Sequence, residues 1–285
     1  ELNLATNYRV FDINGGFNSS HTSYFHKSLG GYHGAKLRNF ANLIDFQISK
    51  GNNNVFNMLN VKYIIQNGAT GQVVRKNPEA MGNAWMVKRI EEYDTANDEI
   101  RALGTRFTIQ NVGSGQLFVN GQKSEQASVY GTENIQYLIG SDSIAVPLSN
   151  GMGEGMEAVF VVDKNGKSDL VMPQIFENDT IKQSFLKLVQ IKADNVFNPK
   201  EEAVMLKEWA NKLSQKTYTG EGTVKMTNYN PNKIKYQVNA VGKQVVVFSE
   251  IYYPEGWTAL IDGKKADILK VDYLLRGIEV PDGQH

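Results

Sequence analysis

Most of this chain is written in short runs of β-branched and aromatic residues, each cut off after a few positions by Gly, Asn or Asp. That texture excludes a helical bundle and demands many short strands joined by tight turns. Arg106–Ile109, Gln116–Val119, Ile135–Ile139 and Ala158–Val162 are such runs in the middle of the chain. Thr223–Tyr229, Lys233–Asn239, Gln244–Ile251, Trp257–Ile261, Ala266–Lys270 and Leu274–Val280 follow near its end. Asn120-Gly121 and Asp262-Gly263 have the composition of two-residue hairpin turns, and Lys164-Asn165-Gly166 that of a further hairpin. Tyr8–Ile13, Val61–Gln66 and Ala84–Ile90 read as strands near the start. Helical signals are fewer. Over residues 35–50, Leu37, Phe40, Ala41, Ile44 and Ile48 fall on one helical face, and Gly51 stops the pattern. Asn54 is positioned to cap a short helix through Leu59, and Thr95 with Asp98 predicts a capped helix reaching Leu103. Asn198-Pro199-Lys200-Glu201 has the cap, proline and acid of a helix start, with Val204, Leu206, Trp209 and Leu213 as the packed face.

At 285 residues the chain exceeds what one core usually serves, so two or three modules are expected. Basic and acidic residues number 30 each, which gives no whole-chain field to attract nucleic acid. The balance hides an asymmetry: residues 1–103 carry 11 bases and 9 acids, residues 104–180 carry 4 and 9, and residues 181–285 carry 15 and 12. The middle therefore reads as an inserted module. The expected class is α+β: a mixed α/β core over residues 1–103, completed by 189–216, an inserted all-β module over 104–188, and a C-terminal antiparallel β-sandwich over 217–285. Absence of cysteine removes disulfides, thiolate zinc sites and cysteine nucleophiles. No run approaches the roughly 20 apolar residues that span a bilayer. The first residue is not Met, and Pro281–His285 reads as a turn feeding another strand, so the chain is expected to be a piece of a larger protein, cut at both ends.

Three long strings carry a resemblance. The first is Ser23-Tyr24-Phe25-His26-Lys27-Ser28-Leu29-Gly30-Gly31-Tyr32-His33-Gly34-Ala35-Lys36-Leu37-Arg38. The second is Asn57-Met58-Leu59-Asn60-Val61-Lys62-Tyr63-Ile64-Ile65, followed by Asn77-Pro78-Glu79-Ala80-Met81-Gly82-Asn83-Ala84-Trp85. The third runs from Phe248-Ser249-Glu250-Ile251-Tyr252-Tyr253-Pro254-Glu255-Gly256-Trp257 through Ile261-Asp262-Gly263-Lys264 to Tyr273-Leu274-Leu275-Arg276. Together they resemble YfhO-type bacterial membrane proteins, particularly those of Bacteroides-like bacteria, over about residues 7–103 and 190–285. The resemblance lapses over about 104–188. It implies many membrane helices before this region and one after it, with this part on the extracytoplasmic (periplasmic) side. The membrane part of such proteins is similar to glycosyltransferases that use polyprenyl-phosphate sugars, and its catalytic carboxylate usually lies in an early loop between membrane helices. The resemblance thus implies an accessory region that helps bind an acceptor glycan or the lipid-linked donor during envelope glycan modification, and that has no transferase activity by itself. The alternative is a non-enzymatic envelope module binding a polysaccharide or a protein partner.

Residues that fit such roles cluster in two places. His26, Lys27, Tyr32, His33, Lys36 and Arg38 surround Gly30-Gly31, where glycine lets backbone N–H groups approach a phosphate and the cations supply charge. The same residues also suit a plain loop entering a helix. No Gly-Lys-Ser/Thr follows, so this is no P-loop. Tyr252, Tyr253 and Trp257 are candidates for stacking on sugar rings, or equally for filling a core. Glu250, Glu255 and Asp262 near Trp257 suit a hydrolytic carboxylate pair on paper, yet strand and turn positions account for them. Asp163, Asn165 and Asp169 resemble a calcium loop only in part, because Gln174 stands where the last ligand should be Glu. His21, His26, His33 and His285 lack metal-ligand spacing. No nucleophile elbow occurs. No catalytic residue, metal or other cofactor is therefore expected in this chain.

Overall fold

The computed structural model describes residues 7–31, 36–49, 51–104 and 197–285, together with the backbone of the strands between 105 and 196. It is a mixed α/β structure, mostly strands with few short helices, arranged in several small sheets of which none closes among the described residues. Contacts divide the chain into two compact units. One comprises Glu1–Ile48, Asn52–Leu103 and Asn198–His285; the other comprises Ser49–Gly51 and Gly104–Phe197.

The first unit opens on β1 (Arg9–Asp12), which runs parallel to both β2 (Lys27–Ser28) and β3 (Val61–Gly68). Parallel neighbours require a crossover. The crossover between β1 and β3 carries α1 (His21–Phe25), α2 (Arg38–Leu43) and α3 (Asn53–Met58). β4 (Gly71–Lys76) closes a hairpin onto β3 and gives the sheet the order β2-β1-β3-β4.

The single helix expected over 35–50 is shorter and changes type. α2 widens into a π-helical turn over Ile44–Ile48, and the Asn52 N–H reaches back to the Gln47 carbonyl at 3.3 Å. The extra residue per turn re-aims the buried face. Leu43, Ile44, Gln47 and Ile48 point inward, while Leu37, expected on that face, is exposed. The cap of α3 also differs from expectation. Asn52, rather than Asn54, accepts the N–H groups of Asn54 and Val55 at 3.0 and 3.3 Å.

Residues 84–90, expected as one strand, divide at Lys88 into β5 (Ala84–Val87) and β6 (Arg89–Tyr93), which join different sheets. α4 (Ala96–Ala102) starts where predicted, with the Thr95 hydroxyl accepting from the Asp98 N–H at 3.2 Å.

The second unit is built from strands. β7 (Thr105–Asn111) pairs antiparallel with β15 (Val189–Val196), and the Phe197 N–H bonds the Gly104 carbonyl at 3.2 Å, so the unit begins and ends side by side. β8 (Leu117–Val119) and β9 (Gln122–Ser124) pair antiparallel, while the turn expected at Asn120-Gly121 lies outside the described residues. β10 (Ser128–Val129), β11 (Gln136–Tyr137), β12 (Ser143–Ser149), β13 (Glu157–Asp163) and β14 (Ser168–Val171) form one further sheet.

On return to the first unit, the structure corrects the helix expected after Asn198. A turn there leads into β16 (Glu202–Leu206), which runs parallel to β6, and only Lys207–Ala210 is helical (α5). Ala203, Val204 and Met205 are fully buried, and a continuous apolar run is as compatible with a central parallel strand as with a helix. Buried Glu202 secures the entry. Its carboxylate accepts from Arg89 Nη2 at 2.9 Å and from the Asn198 N–H at 3.1 Å.

The remaining strands are β17 (Gly222–Asn230), β18 (Lys233–Ala240), β19 (Gln244–Ile251), β20 (Ala259–Ile261), β21 (Lys264–Ala266), β22 (Leu269–Val271), β23 (Leu275–Val280) and β24 (Gly283–Gln284). They form a sheet β17-β18-β24, a sheet β22-β23-β19-β5 and the hairpin β20-β21. Asp262 and Gly263 both take positive φ (50° and 80°), as a two-residue hairpin turn needs. Val238 and Ala240 of one sheet share a core with Val246, Phe248 and Val280 of the other, with Ala84 and Met86 packed against it. The sheet of the last stretch therefore includes a strand drawn from residues 84–87.

Candidate ligand-binding site

β19 contains an irregularity with chemical consequences. Its register with β23 shifts between Phe248 and Ile251, so Ser249 and Glu250 form a bulge. A bulge frees backbone groups from the ladder. Two arginines use the carbonyls made available there. Arg9 of β1 donates from Nη1 to the Ser249 carbonyl at 2.9 Å and to the Leu59 carbonyl at 2.6 Å. Arg276 of β23 donates from Nε to the Ile251 carbonyl at 2.9 Å, and its guanidinium lies 4.4 Å from the centre of the Trp257 ring. Lys27 is the direct neighbour of Arg9 in the parallel β1–β2 pair. Its ammonium donates to the Asn7 side-chain oxygen and sits 3.7 Å from the centre of the Tyr229 ring. Asn7 is itself held by Asn83 at 2.9 Å and by the Met226 sulfur at 3.4 Å.

Arg9 and Arg276 thus share the field of one carboxylate, Glu250, and of Tyr229, whose ring lies under the Lys27 ammonium. Burial pushes the Arg9 guanidinium below its ordinary pKa, with Glu250 and Tyr229 opposing. Arg276 moves the same way for the same reason, with Glu250, Tyr236 and Tyr229 opposing. Tyr236 packs edge-on to Phe248 at 4.8 Å, and its buried hydroxyl has no hydrogen-bond partner among the described residues. Burial and Glu250 push that hydroxyl above its usual pKa, while Arg276 opposes them. Among the described residues no carboxylate lies within 4.0 Å of Arg9, Lys27 or Arg276.

Of the candidates around Gly30-Gly31, Lys27 is the one placed in this cluster. Lys36 turns elsewhere, donating to the Phe17 carbonyl at 3.1 Å and to the Asn18 side chain at 2.9 Å. His26 is exposed just after α1, and Arg38 is exposed at the start of α2. Tyr32 and His33 lie outside the described residues. The two glycines already have backbone partners. Gly30 N–H bonds the Ser28 hydroxyl, and Gly31 N–H bonds the Phe17 carbonyl, both at 3.1 Å. A Cβ on Gly30 would lie 2.5 Å from the Gly16 carbonyl oxygen, so glycine is required here for close backbone packing.

The aromatic candidates separate as well. Trp257 belongs to the Arg276 cluster. Tyr252 instead meets Trp209 of α5 edge to face at 5.5 Å, and Lys212 lies 4.6 Å from the Trp209 ring. Tyr252 is fixed by its N–H to the Leu274 carbonyl at 2.7 Å, and both rings are half-buried. Its neighbour Tyr253 is 46% exposed. Trp209 was not among the predicted site residues, because its spacing read as a helix face turned to the core.

A third polar group is interior. Glu99 is fully buried and accepts from the Tyr273 N–H at 3.1 Å. Burial raises its pKa to about 7, with Lys270 opposing. At 3.7 Å the Lys270 ammonium is an ion-pair neighbour but too distant for a hydrogen bond.

Among the described residues no group of His, Asp and Glu could hold a metal ion, and no helix is long and apolar enough to cross a membrane. Comparison with curated proteins finds no match, and neither does comparison with solved structures. Residues 201–285, which supply β16 to β24 and with them Tyr229, Glu250, Tyr252, Trp257 and Arg276, match the family model described as bacterial membrane protein YfhO.

Proposed function

We propose that this chain is the extracytoplasmic accessory region of a polytopic bacterial membrane protein similar to glycosyltransferases, and that it binds a glycan. The ligand is the acceptor or the sugar of a polyprenyl-phosphate donor. In this reading the two sheets sharing the Val238–Phe248 core act as a C-terminal β-sandwich, and residues 104–188 are a module inserted into an α/β core. The observation that carries the binding role is the pairing of Trp209 with Tyr252 at 5.5 Å, beside exposed Tyr253. Sugar rings present apolar C–H faces, and a rigid, half-exposed aromatic pair offers them contact area at little cost in side-chain entropy. Lys212 beside Trp209 supplies a hydrogen-bond donor at the rim.

The test is titration of neutral oligosaccharides and a short-chain polyprenyl-phosphate sugar into the chain and into Trp209→Ala. The expected result is saccharide binding that the variant weakens at least about tenfold, the effect of losing one stacking contact of roughly 1.5 kcal/mol. Binding that survives Trp209→Ala would remove the pair from the site. Binding of no saccharide would favour a protein-binding module of the envelope instead.

A further inference from the structure

The cluster at the β19 bulge has a feature that the glycan reading does not require. Arg9 and Arg276 are desolvated, yet their hydrogen bonds among the described residues end on carbonyls of Leu59, Ser249 and Ile251. A guanidinium removed from water normally meets a carboxylate, because its charge is otherwise poorly compensated. Here Arg9 and Arg276 share Glu250 as the one carboxylate that acts on both, and Lys27 lies next to Arg9 in the strand pair. Arg276 uses only Nε, so its two terminal nitrogens have no partner among the described residues. Tyr236 adds a buried hydroxyl donor with no acceptor among those residues. Arg9, Lys27, Tyr229, Tyr236, Glu250, Trp257 and Arg276 are each half-buried, so the group borders solvent. Tyr229 and Trp257 are already engaged by cations, and these contacts hold Lys27 and Arg276 in place.

We propose that Arg9, Lys27 and Arg276 form a binding site for an oxyanion, a carboxylate or a phosphate, carried on a sugar ring that Tyr229 and Trp257 flank. The guanidinium fork matches the oxygens of either group, and charge-assisted bonds in a partly desolvated setting are the strong ones. The site is distinct from the Trp209–Tyr252 pair, so each stands or falls alone. Glu250 sets its selectivity: its field favours the charged Arg9 and Arg276 when the site is empty and opposes an anionic ligand when it is occupied.

Calorimetric titration of the whole chain with glucuronic acid, glucose 1-phosphate, glucose and inorganic phosphate tests this at low and moderate salt. Either or both of the acidic sugars should bind, and which of them does identifies the oxyanion. Glucose should bind at least about tenfold more weakly, and added salt should weaken the acidic sugars. Arg276→Gln and Lys27→Gln should each reduce affinity about tenfold or more, since each removes a charge-assisted contact. Glu250→Gln should increase it. Should Arg276→Gln fail to fold for want of its bond to Ile251, Lys27→Gln still decides, because among the described residues the Lys27 ammonium donates only to the Asn7 side chain and otherwise rests on the Tyr229 ring. Glucose binding as tightly as its 1-phosphate, binding of neither acidic sugar, or unchanged affinity in Lys27→Gln would overturn the proposal. Inorganic phosphate binding as tightly as glucose 1-phosphate would overturn the part assigned to the rings.

Discussion

Glu99 is the residue whose surroundings most constrain the conditions under which this protein is stable. Its carboxyl is pushed up to about 7 because burial penalises the charge more than Lys270 compensates it. A folded-state pKa above the unfolded value means that the folded chain binds the proton more tightly. The stabilisation is therefore complete below about pH 4.5 and is lost as pH rises through about 7. Urea unfolding of the wild type and Glu99→Gln from pH 4.5 to 8 should show a difference that grows in favour of the variant as pH rises. A pH-independent difference would refute the assignment. Lys270→Met should destabilise by about 3 kcal/mol at pH 8, where it strands a buried carboxylate, and by less at pH 6, where protonation relieves it.

The sequence hid the candidate site for a reason visible at single positions. Arg9 shares a strand face with buried Phe11, and Arg276 shares one with buried Val280. A cation in the apolar phase of a strand is a legible sign of an internal partner. It does not say which partner, since the carbonyls come from a bulge and a helix end distant in sequence.

Elements divide by whether local chemistry or tertiary pairing decides them. Helix α4 and the hairpin at Asp262-Gly263 were legible, because a capping hydroxyl and a positive-φ dipeptide act within a few residues. β16 was not: its buried run suits helix or strand, and pairing with β6 settles the choice. The π-helical turn after α2 was equally hidden, because its inward-facing Gln47 bonds the Ile100 carbonyl at 2.6 Å, a partner far along the chain.

The β22–β23 turn shows how such long-range bonds hold a costly conformation. Asp272 and Tyr273 both have positive φ (49° and 66°). Asp272 exchanges bonds with Val204, its N–H donating to the carbonyl at 2.7 Å and its carboxylate accepting the N–H at 2.9 Å, while Asn42 donates to the Tyr273 hydroxyl at 2.8 Å. Asp272→Ala should cost about 2 kcal/mol or more, because it strands the buried Val204 N–H and places Ala in a left-handed conformation. Asp272→Asn retains an acceptor and should cost less. Equal unfolding midpoints for the two variants would show that the side-chain bond contributes little.

For the whole molecule, the charge shift and the lapse in resemblance lead one to expect a separate piece at 104–188, whereas the contact units are drawn differently, with residues 104–197 grouped with Ser49–Gly51. Replacing residues 112–188 with a short Gly/Ser linker keeps the β7–β15 ladder, whose ends are adjacent, and closing so short a loop costs little entropy. One cooperative melting transition at a temperature near that of the wild type is expected. A loss of cooperativity would mean that the first unit depends on the excised part. What sequence did not disclose at this scale is β5: its Ala84–Val87 stretch reads as an ordinary strand, and nothing local says that it lies beside Val245–Phe248.

That one pairing also bears on how the protein is made. During synthesis β5 emerges long before β19, so its hydrogen-bonding groups wait unpaired while the second unit is still being extended. In the opposite case, a fragment of residues 201–285 expressed alone would present the Val245–Phe248 edge bare, and a bare apolar edge recruits whatever strand it meets, including its own copy. The stretch matched by the family model therefore lacks one strand of its own sheet, and is expected to be less stable alone than in the whole chain. Its solubility is expected to depend on four residues that ribosomes deliver far upstream.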